Sequence, residues 1–446
     1  MLAERPIRGA ALTETRASMG GTMSRLLFKT RRSIHMKLSR RTFLGTSAAI
    51  SVASIAGALS DRAWAASDTV AIASLHDLSG PLDIYGVPSN LCMKVAVEEI
   101  NAAGGLLSKK VELKVYDGQS DINKYPQYAQ KAVLNDRVVM VQGALSGAAR
   151  EATRPVLRKH KVPFIYGFFY EGGLCEKNTF CVNTGGNQQV VPLLEWSFNN
   201  LGKKLYYIAS DYNAPRNFGI WNHVMAKRER GQVLADDYYP LDVTDFTAAI
   251  AKIQAAKPDI VHSCLVGGPA MSFYRQWAAA GMLNKIPIIS IVFAAGNEHE
   301  VLAPEETDGV IVAYNYFQEL DTPRNKEFLA KVEAVAGKNH PYINGEVFGG
   351  YSGVMLWAEA VKRAGSFERQ AVLAALESGI RWEGPAGVMT TDGPTHNTTQ
   401  DVHIIRVKNR AWNLIEKKEQ IAPDTYGGKC NVFTNPNQTE FLMPQI

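Results

Sequence analysis

The sequence predicts an α/β protein built on two doubly wound, mainly parallel sheets. Three observations carry that reading. Apolar runs of strand length alternate with segments whose apolar residues recur at helical spacing. The alternation halts after residue 166 and begins afresh at Leu205. A chain of 446 residues also exceeds one ordinary compact domain. With 46% hydrophobic and 20% charged residues, the composition excludes a disordered or collagen-like polymer.

Thr69 to Leu75 reads as a buried strand, and Gly80-Pro81 punctuates the loop after it. Val87, Leu91, Val95 and Ile100 fall on one helical face that stops at Gly104-Gly105. Val111 to Tyr116 alternates as a strand. A helix over 125–135, a strand from Val138, a helix over 146–160 and a strand over 163–166 complete the first series. Such strand-helix alternation implies a parallel sheet covered on both faces. The second series has strands at Leu205, 233–239, Asp259, Pro287 and Gly309, with helices over 217–228, 246–255 and 270–280. Two longer helices, 325–335 and 346–364, follow, and the tail reads as short strands and turns. In sheets of this kind ligands bind beyond the carboxyl ends of the strands, so the informative loops are those just after strands.

Residues 1–65 read as a leader. The stretch from Met36 to Ala65 has Ser39, Arg40, Arg41, Thr42, Phe43 and Leu44, then a weakly apolar run, then Ala63-Trp64-Ala65. That is the order of a twin-arginine export signal with a small-x-small cleavage site. The apolar run is too short and polar to span a bilayer. Met36 is the expected true start, with residues 1–35 an over-long reading. The leader carries 11 of the 48 Lys and Arg but 3 of the 43 Asp and Glu, which leaves 37 basic against 40 acidic residues, a net of −3. The basic excess therefore belongs to the leader, and the rest has no electrostatic footprint for nucleic acid. No later stretch reaches 18 uninterrupted apolar residues, so the mature chain is expected outside the membrane, in the periplasm. In that oxidising compartment the five-residue spacing of Cys175 and Cys181 predicts a small-loop disulfide. Cys92, Cys264 and Cys430 are then expected as buried free thiols.

Catalytic and cofactor motifs are missing. No G-x-G-x-x-G follows a strand, no P-loop occurs, and no H-E-x-x-H or C-x-x-C is found. The serine of Gly143-Ala144-Leu145-Ser146-Gly147 is one residue out of place for a nucleophile elbow and suits a helix N-cap. His299-Glu300 lacks a second histidine, and His396 and His403 lack an acidic partner pattern. The expectation is a protein that is not an enzyme and has no metal site and no cofactor.

Three stretches together carry a resemblance: Leu75 to Gly86 (LHDLSGPLDIYG), Gly143 to Gly172 running on to Asn187, and Gly309 to Ala334. They resemble the periplasmic solute-binding proteins of the branched-chain amino acid type, and within it the amide- and urea-binding receptors. Tyr170-Glu171-Gly172 and the run from Tyr316 to Asn325 are the most subgroup-specific pieces. The resemblance implies a type I periplasmic-binding-protein fold with an interlobe cleft and three chain crossings. One lobe is placed at 68–190 plus 318–380, the other at 191–317 plus 381–446. It implies a small polar solute, a short amide, urea-like compound or amino acid, delivered to the permease subunits of an ABC importer.

The resemblance also implies the ligand-binding set. Ser146 opens the helix after the third strand, where a hydroxyl and free N–H groups can hold a carbonyl or carboxylate. Tyr166 and Tyr212 match pocket tyrosines, Glu298 an acidic position after a second-lobe strand, and Tyr85 lines the first loop. Phe168 and Tyr170 complete the set. Their bland alternatives are an N-cap serine, core aromatics and a solvated loop acid. Ala144, Phe168, Phe169 and Ala214 depart from the amide receptors and make the pocket more apolar than urea requires. With Glu298 and Asp211 available to an ammonium, a neutral or zwitterionic ligand is expected. A ligand-sensing module is the alternative function, and an exported oxidoreductase the third.

Overall fold

The computed structural model describes residues 68–444 except 294 and 296, and residues from Ala66 onward form one compact unit. The expected leader, with the export signal and cleavage site read from the sequence, lies outside the described residues.

The first sheet is parallel, in the order β2-β1-β3-β4-β5, with β1 at Thr69–His76, β2 at Lys110–Asp117, β3 at Val141–Gly143, β4 at Phe164–Tyr166 and β5 at Thr179–Cys181. Its connections are helices α1 (Asp83–Ala102), α2 (Lys124–Leu134) and α3 (Gly147–His160). The second sheet has a parallel core of β10 (Ile311–Tyr314), β9 (Ile288–Ser290), β8 (Ile260–Cys264), β6 (Lys204–Ser210) and β7 (Gln232–Tyr239). Helices α4 (Gly186–Asn200), α5 (Asn213–Arg228), α6 (Thr247–Ala256) and α7 (Gly267–Ala279) connect or cover these strands, followed by two single turns, α8 (Glu298–Val301) and α9 (Pro304–Thr307). All five residues of β8 are buried, as a central parallel strand requires.

After β10 the chain returns to the first sheet. Helices α10 (Pro323–Ala336), α11 (Gly345–Ala364) and α12 (Arg369–Glu377) bury Phe328, Val347, Trp357 and Leu376 in one core with Ile72, Met93 and Phe180. Strands β11 (Arg381–Gly384) and β12 (Gly387–Asp392) then lead to β13 (Asn397–Lys408), which pairs antiparallel with β12, β10 and β14 (Ala411–Ile421). The chain thus passes between the sheets three times, and one buried amide network ties the passages together. Asn315 donates to Asn183 Oδ1 at 3.1 Å and to Gln400 Oε1 at 2.9 Å, and Asn183 donates to the Gly345 carbonyl at 2.8 Å.

Local sequence explains the element ends. Thr322 accepts from Asn325 N at 3.1 Å with Pro323 in the first turn, and Asn344 accepts from Glu346 N and Val347 N, the expected capping chemistry. Gly365 closes α11 with φ +61°. Three parts of the sequence reading need correction. Strand β5 and helix α4 are absent from it, because α4 opens Gly-Asn-Gln-Gln, contains Pro192 and is buried widely enough to hide a helical period. The helix α12 is also absent. The tail has the expected short strands, β11 and β12, and turns, but also a hairpin of 12 and 11 residues.

The disulfide expectation is overturned. Cys175 is bonded to Cys430, with their Cα atoms 5.4 Å apart, and Cys181 is a buried free thiol. Cys430 is therefore not free, whereas Cys92 and Cys264 are. Cys181 is held in β5, in the core under α3 with Tyr166 and Tyr170, whereas Cys175 sits with Val190, Trp221 and Tyr426 in a different core. Sequence proximity does not bring the two thiols together because the strand fixes Cys181's Cβ direction.

Candidate functional site

Residues beyond the carboxyl ends of strands in the two sheets meet through a row of rings, Tyr85, Phe168, Phe169 and Phe218. After β3 the backbone turns through Gly143 and Ala144, the latter at φ +63°, a left-handed conformation that costs a non-glycine residue. The turn delivers Ser146 as N-cap of α3, its hydroxyl accepting from Ala149 N at 3.1 Å. Ser146 is half-buried and so already serves as the cap while remaining near the loop surface.

Tyr85, in the first turn of α1, meets Phe168 edge-to-face at 5.6 Å. Phe168 leans on Phe169 at 5.1 Å, and Phe169 stacks on Phe218 of α5 at 6.2 Å. This aromatic row runs from the first sheet's loops to the second sheet's helix. Tyr212 is the N-cap residue of α5. Although 38% exposed, its hydroxyl is lifted well above the ordinary tyrosine pKa by burial, with Cys264, Tyr85, Glu171 and Glu346 adding to the effect.

Tyr166 and Tyr170 are not in that row. Both are buried and enclose the Arg150 guanidinium, at 5.0 and 5.3 Å from their ring centres, and Arg150 also meets Glu171 at 3.2 Å. Tyr170 further donates its hydroxyl to Asn397 Oδ1 at 2.5 Å. Asp211 is committed to Arg216, 2.6 Å away on the surface.

Glu298 is the first residue of α8, 2% exposed, after Asn297 in a left-handed conformation. Electrostatically coupled to it is a residue the sequence reading did not select, Glu346 in the first turn of α11. Glu346 is 1% exposed, and neither carboxylate oxygen has a hydrogen-bond partner. Burial, and next the nearby Glu298 charge, hold its pKa well above the usual carboxylate range. Tyr85 and Tyr314 feel both acids, and their hydroxyl pKa values are raised by burial first and by the two carboxylates next. The sequence held one signal for Glu346: it is the lone charge between Ile343 and Trp357, and a lone acid on a glycine-rich apolar helix has no solvated face to occupy.

The placement of Glu346 is rigid. Asn344 caps Glu346 N at 3.0 Å and donates to the Ala295 carbonyl at 3.1 Å, tying the start of α11 to the loop that leads to Glu298. Further along α11, a Cβ on Gly349 would lie 1.6 Å from the Gly167 carbonyl oxygen, so only glycine permits this approach to the end of β4.

No group of three or more His, Cys, Asp or Glu among the described residues could hold a metal ion. A recess of about 350 Å³ lined by Arg158, Glu176, Lys177 and Arg369 is separate from this cluster. Its cations are committed: Arg158 to Glu176 at 2.7 Å, Lys177 to Glu377 at 2.7 Å and Arg369 to Asn178 at 2.8 Å. No helix among the described residues is long and apolar enough to cross a membrane.

Comparison with known proteins agrees with the fold. Residues 69–411 match a family described as periplasmic binding protein. Leu/Ile/Val-binding protein homolog 6 of Brucella melitensis is 22% identical over 350 residues, covering 76% of this chain and 88% of that protein. Homolog 4 of Brucella abortus is 25% identical over 341 residues, covering 73% and 79%. Among solved structures, the fold is similar to a solute-binding protein of an ABC transporter from Rhodopseudomonas palustris in complex with 3,4-dihydroxybenzoic acid. The TM-score is 0.71 at 23% identity, covering 81% of this chain and 99% of that one. It is likewise similar to the branched-chain amino acid transporter substrate-binding protein LivJ of Streptococcus pneumoniae in complex with isoleucine. There the TM-score is 0.67 at 23% identity, covering 79% and 99%.

Proposed function

The chain belongs to the periplasmic binding protein family, and on that premise we propose that it is the substrate-binding component of an ABC importer. It captures a small polar organic solute, neutral or zwitterionic, between its two sheets and presents it to permease subunits. It works in the periplasm, reached through the twin-arginine signal of the leader. What supports this reading is the aromatic row that leads from Tyr85 and Phe168 on the first sheet's side to Phe218 of α5 on the second's, with Tyr85 coupled to Glu298 and Tyr212; Ser146 is proposed to serve the same cleft. A solute bridging the two sides holds the sheets closed, excludes water and strengthens each hydrogen bond it makes.

The neighbours' printed ligands, an amino acid and a benzoate, frame the choice of solute. A carboxylate or carbonyl is received by Ser146 and the α3 N-terminus, where the helix dipole favours negative charge. The aromatic row of Tyr85, Phe168 and Phe169 supplies an apolar wall, which suits a solute larger than urea, such as an amino acid or a substituted amide.

A thermal-shift screen with isoleucine, acetamide, urea and benzoate tests the reading, because a ligand bound only by the folded state raises stability by RT ln(1 + [L]/Kd). The expected result is stabilisation by the amino acid or the amide. Mass spectrometry of any small molecule that co-purifies identifies the natural solute. Stabilisation by benzoate alone would sink the neutral-or-zwitterionic assignment.

A further inference from the structure

We propose that the C-terminal segment, residues 422–442, is a strap that joins the two sheets a fourth time and favours the arrangement in which their strand-end loops meet, so that solute affinity depends on a segment remote from the solute. The consequence for affinity rests on the solute-binding reading, whereas the strap itself rests on contacts alone.

The strap begins on the second sheet. It leaves β14 at Ile421, whose carbonyl accepts from Gln188 Nε2 at 2.8 Å, and the Ala422 carbonyl accepts from Asn187 Nδ2 at 2.9 Å, both donors lying in the first turn of α4. Tyr426, Cys430 and Val432 are then buried in one core with Val190, Tyr207 and Trp221. The far end lies on the first sheet's side, against α3. There the Thr439 carbonyl accepts from Arg154 Nη2 at 3.1 Å, the Phe441 ring lies 5.9 Å from the Arg150 guanidinium, and Leu442 N donates to the Gly173 carbonyl at 2.8 Å. Beside these contacts Arg154 and Glu176 are 5% and 2% exposed, and stripping cover from a buried ion pair is costly.

Between its ends the strap grips the turn that leads into β13, where Gln400 marks the third passage. Val432 N donates to the Pro394 carbonyl at 2.8 Å, and the Cys430 sulfur lies 3.8 Å from the Thr395 carbonyl. From the other side, Cys181 N of β5 donates to the His396 carbonyl at 2.8 Å. The disulfide makes the grip covalent. Cys175 belongs to the loop between β4 and β5, and the next residue, Glu176, is tied to α3 by Arg158 at 2.7 Å and Arg154 at 3.4 Å. Separating α3 from the second sheet must therefore break one set of contacts or the other: those of Thr439, Phe441 and Leu442, or the burial of Tyr426 and Val432.

The strap also reaches the site through its neighbours. A Cβ on Gly147, the residue after Ser146, would lie 3.6 Å from Arg150 Nη2, so the guanidinium beside Phe441 sits next to the start of α3. The loop that Cys175 and Gly173 fasten to the strap is the one that carries Phe168 and Phe169, the middle of the aromatic row. Contacts that form only in one arrangement raise its population, and apparent affinity scales with the fraction of molecules that are competent to bind.

The experiment uses two variants of the full chain. Cys430→Ser removes the covalent grip. Leu442→Pro removes the N–H that meets Gly173 and leaves the disulfide in place. Each is compared with the parent protein by small-angle scattering without solute and by calorimetric titration with isoleucine, acetamide, urea and benzoate. Both variants are expected to have a larger solute-free radius of gyration and a Kd raised at least about threefold for whichever of these solutes the parent binds. A folded Leu442→Pro variant with unchanged Kd overturns the proposal and leaves the solute-binding reading standing, and it decides the matter if Cys430→Ser does not fold. If the parent binds none of the four solutes, the solute reading fails and scattering alone judges the strap, with an unchanged radius of gyration overturning it.

Discussion

Replacing Ser146 by alanine removes the hydroxyl that accepts from Ala149 N. As a cap alone, that costs about 0.5–2 kcal/mol of stability in the solute-free protein. As a ligand contact it also leaves a solute acceptor unpaired, worth about 1–3 kcal/mol, or roughly tenfold to a hundredfold in Kd. Denaturant unfolding without solute reads the first effect, and titration with whichever screened solute binds reads the second. A variant that is less stable but binds unchanged restricts Ser146 to capping. Glu298 and Asp211 show why residue type is a poor guide to such roles. Both follow second-sheet strands and both are acids, yet Glu298 is buried and Asp211 is paired with Arg216 on the surface. Which acid faces inward depends on the turn of backbone after the strand, and no pattern in the loop sequence records it.

Helix α11 is the element that sets the site's depth. Gly349 lets it lie against the Gly167 carbonyl, and a Cβ on Gly345 or Gly353 would lie 2.9 Å from Asn315 Oδ1 or 2.6 Å from Gln142 Oε1. Gly349→Ala is therefore expected to push the helix outward, at a cost of about 1–3 kcal/mol from overpacking. It should weaken solute binding more than Gly365→Ala, whose Cβ meets nothing within 4 Å. Equilibrium denaturation with parallel titration distinguishes the two, and equal effects on binding would contradict the packing role of Gly349. The glycines are visible in the sequence, but their partners on β3, β4 and the passage at Asn315 are 30 to more than 200 residues away.

Across the whole molecule, the Cys175–Cys430 bond joins positions 255 residues apart, and the tail continues past it to the Gly173 carbonyl, where Leu442 N donates at 2.8 Å. Cys430→Ser is expected to lower unfolding stability by about 2–5 kcal/mol, since the open chain gains loop entropy. Unreduced peptide mapping should recover Cys175 linked to Cys430, and a Cys175–Cys181 peptide would refute the assignment. Acid is the second global lever. Burial lowers the pKa of His76 and His262 to about 3 and of His299 to about 4, while the unfolded chain protonates them near 6.5. These are bases with depressed folded values, so stability falls as pH drops below about 6.5 and continues to fall until the folded values are reached. Where all three contribute the slope approaches about 4 kcal/mol per pH unit, measurable as a falling denaturation midpoint between pH 6.5 and 4.

The sequence by itself determined the α/β class, the restart of the pattern at Leu205 and the strand-end loops that lead to Ser146 and Tyr212. Those depend on hydrophobic period and on short-range turn and cap chemistry, which neighbouring residues encode. Only the tertiary structure decided that Cys175 pairs with Cys430, that Tyr166 and Tyr170 enclose Arg150, and that Glu346 lies buried near Glu298. Each of these joins segments distant in the chain, and their meeting is set by how the helices and sheets pack, a property with no local period to read.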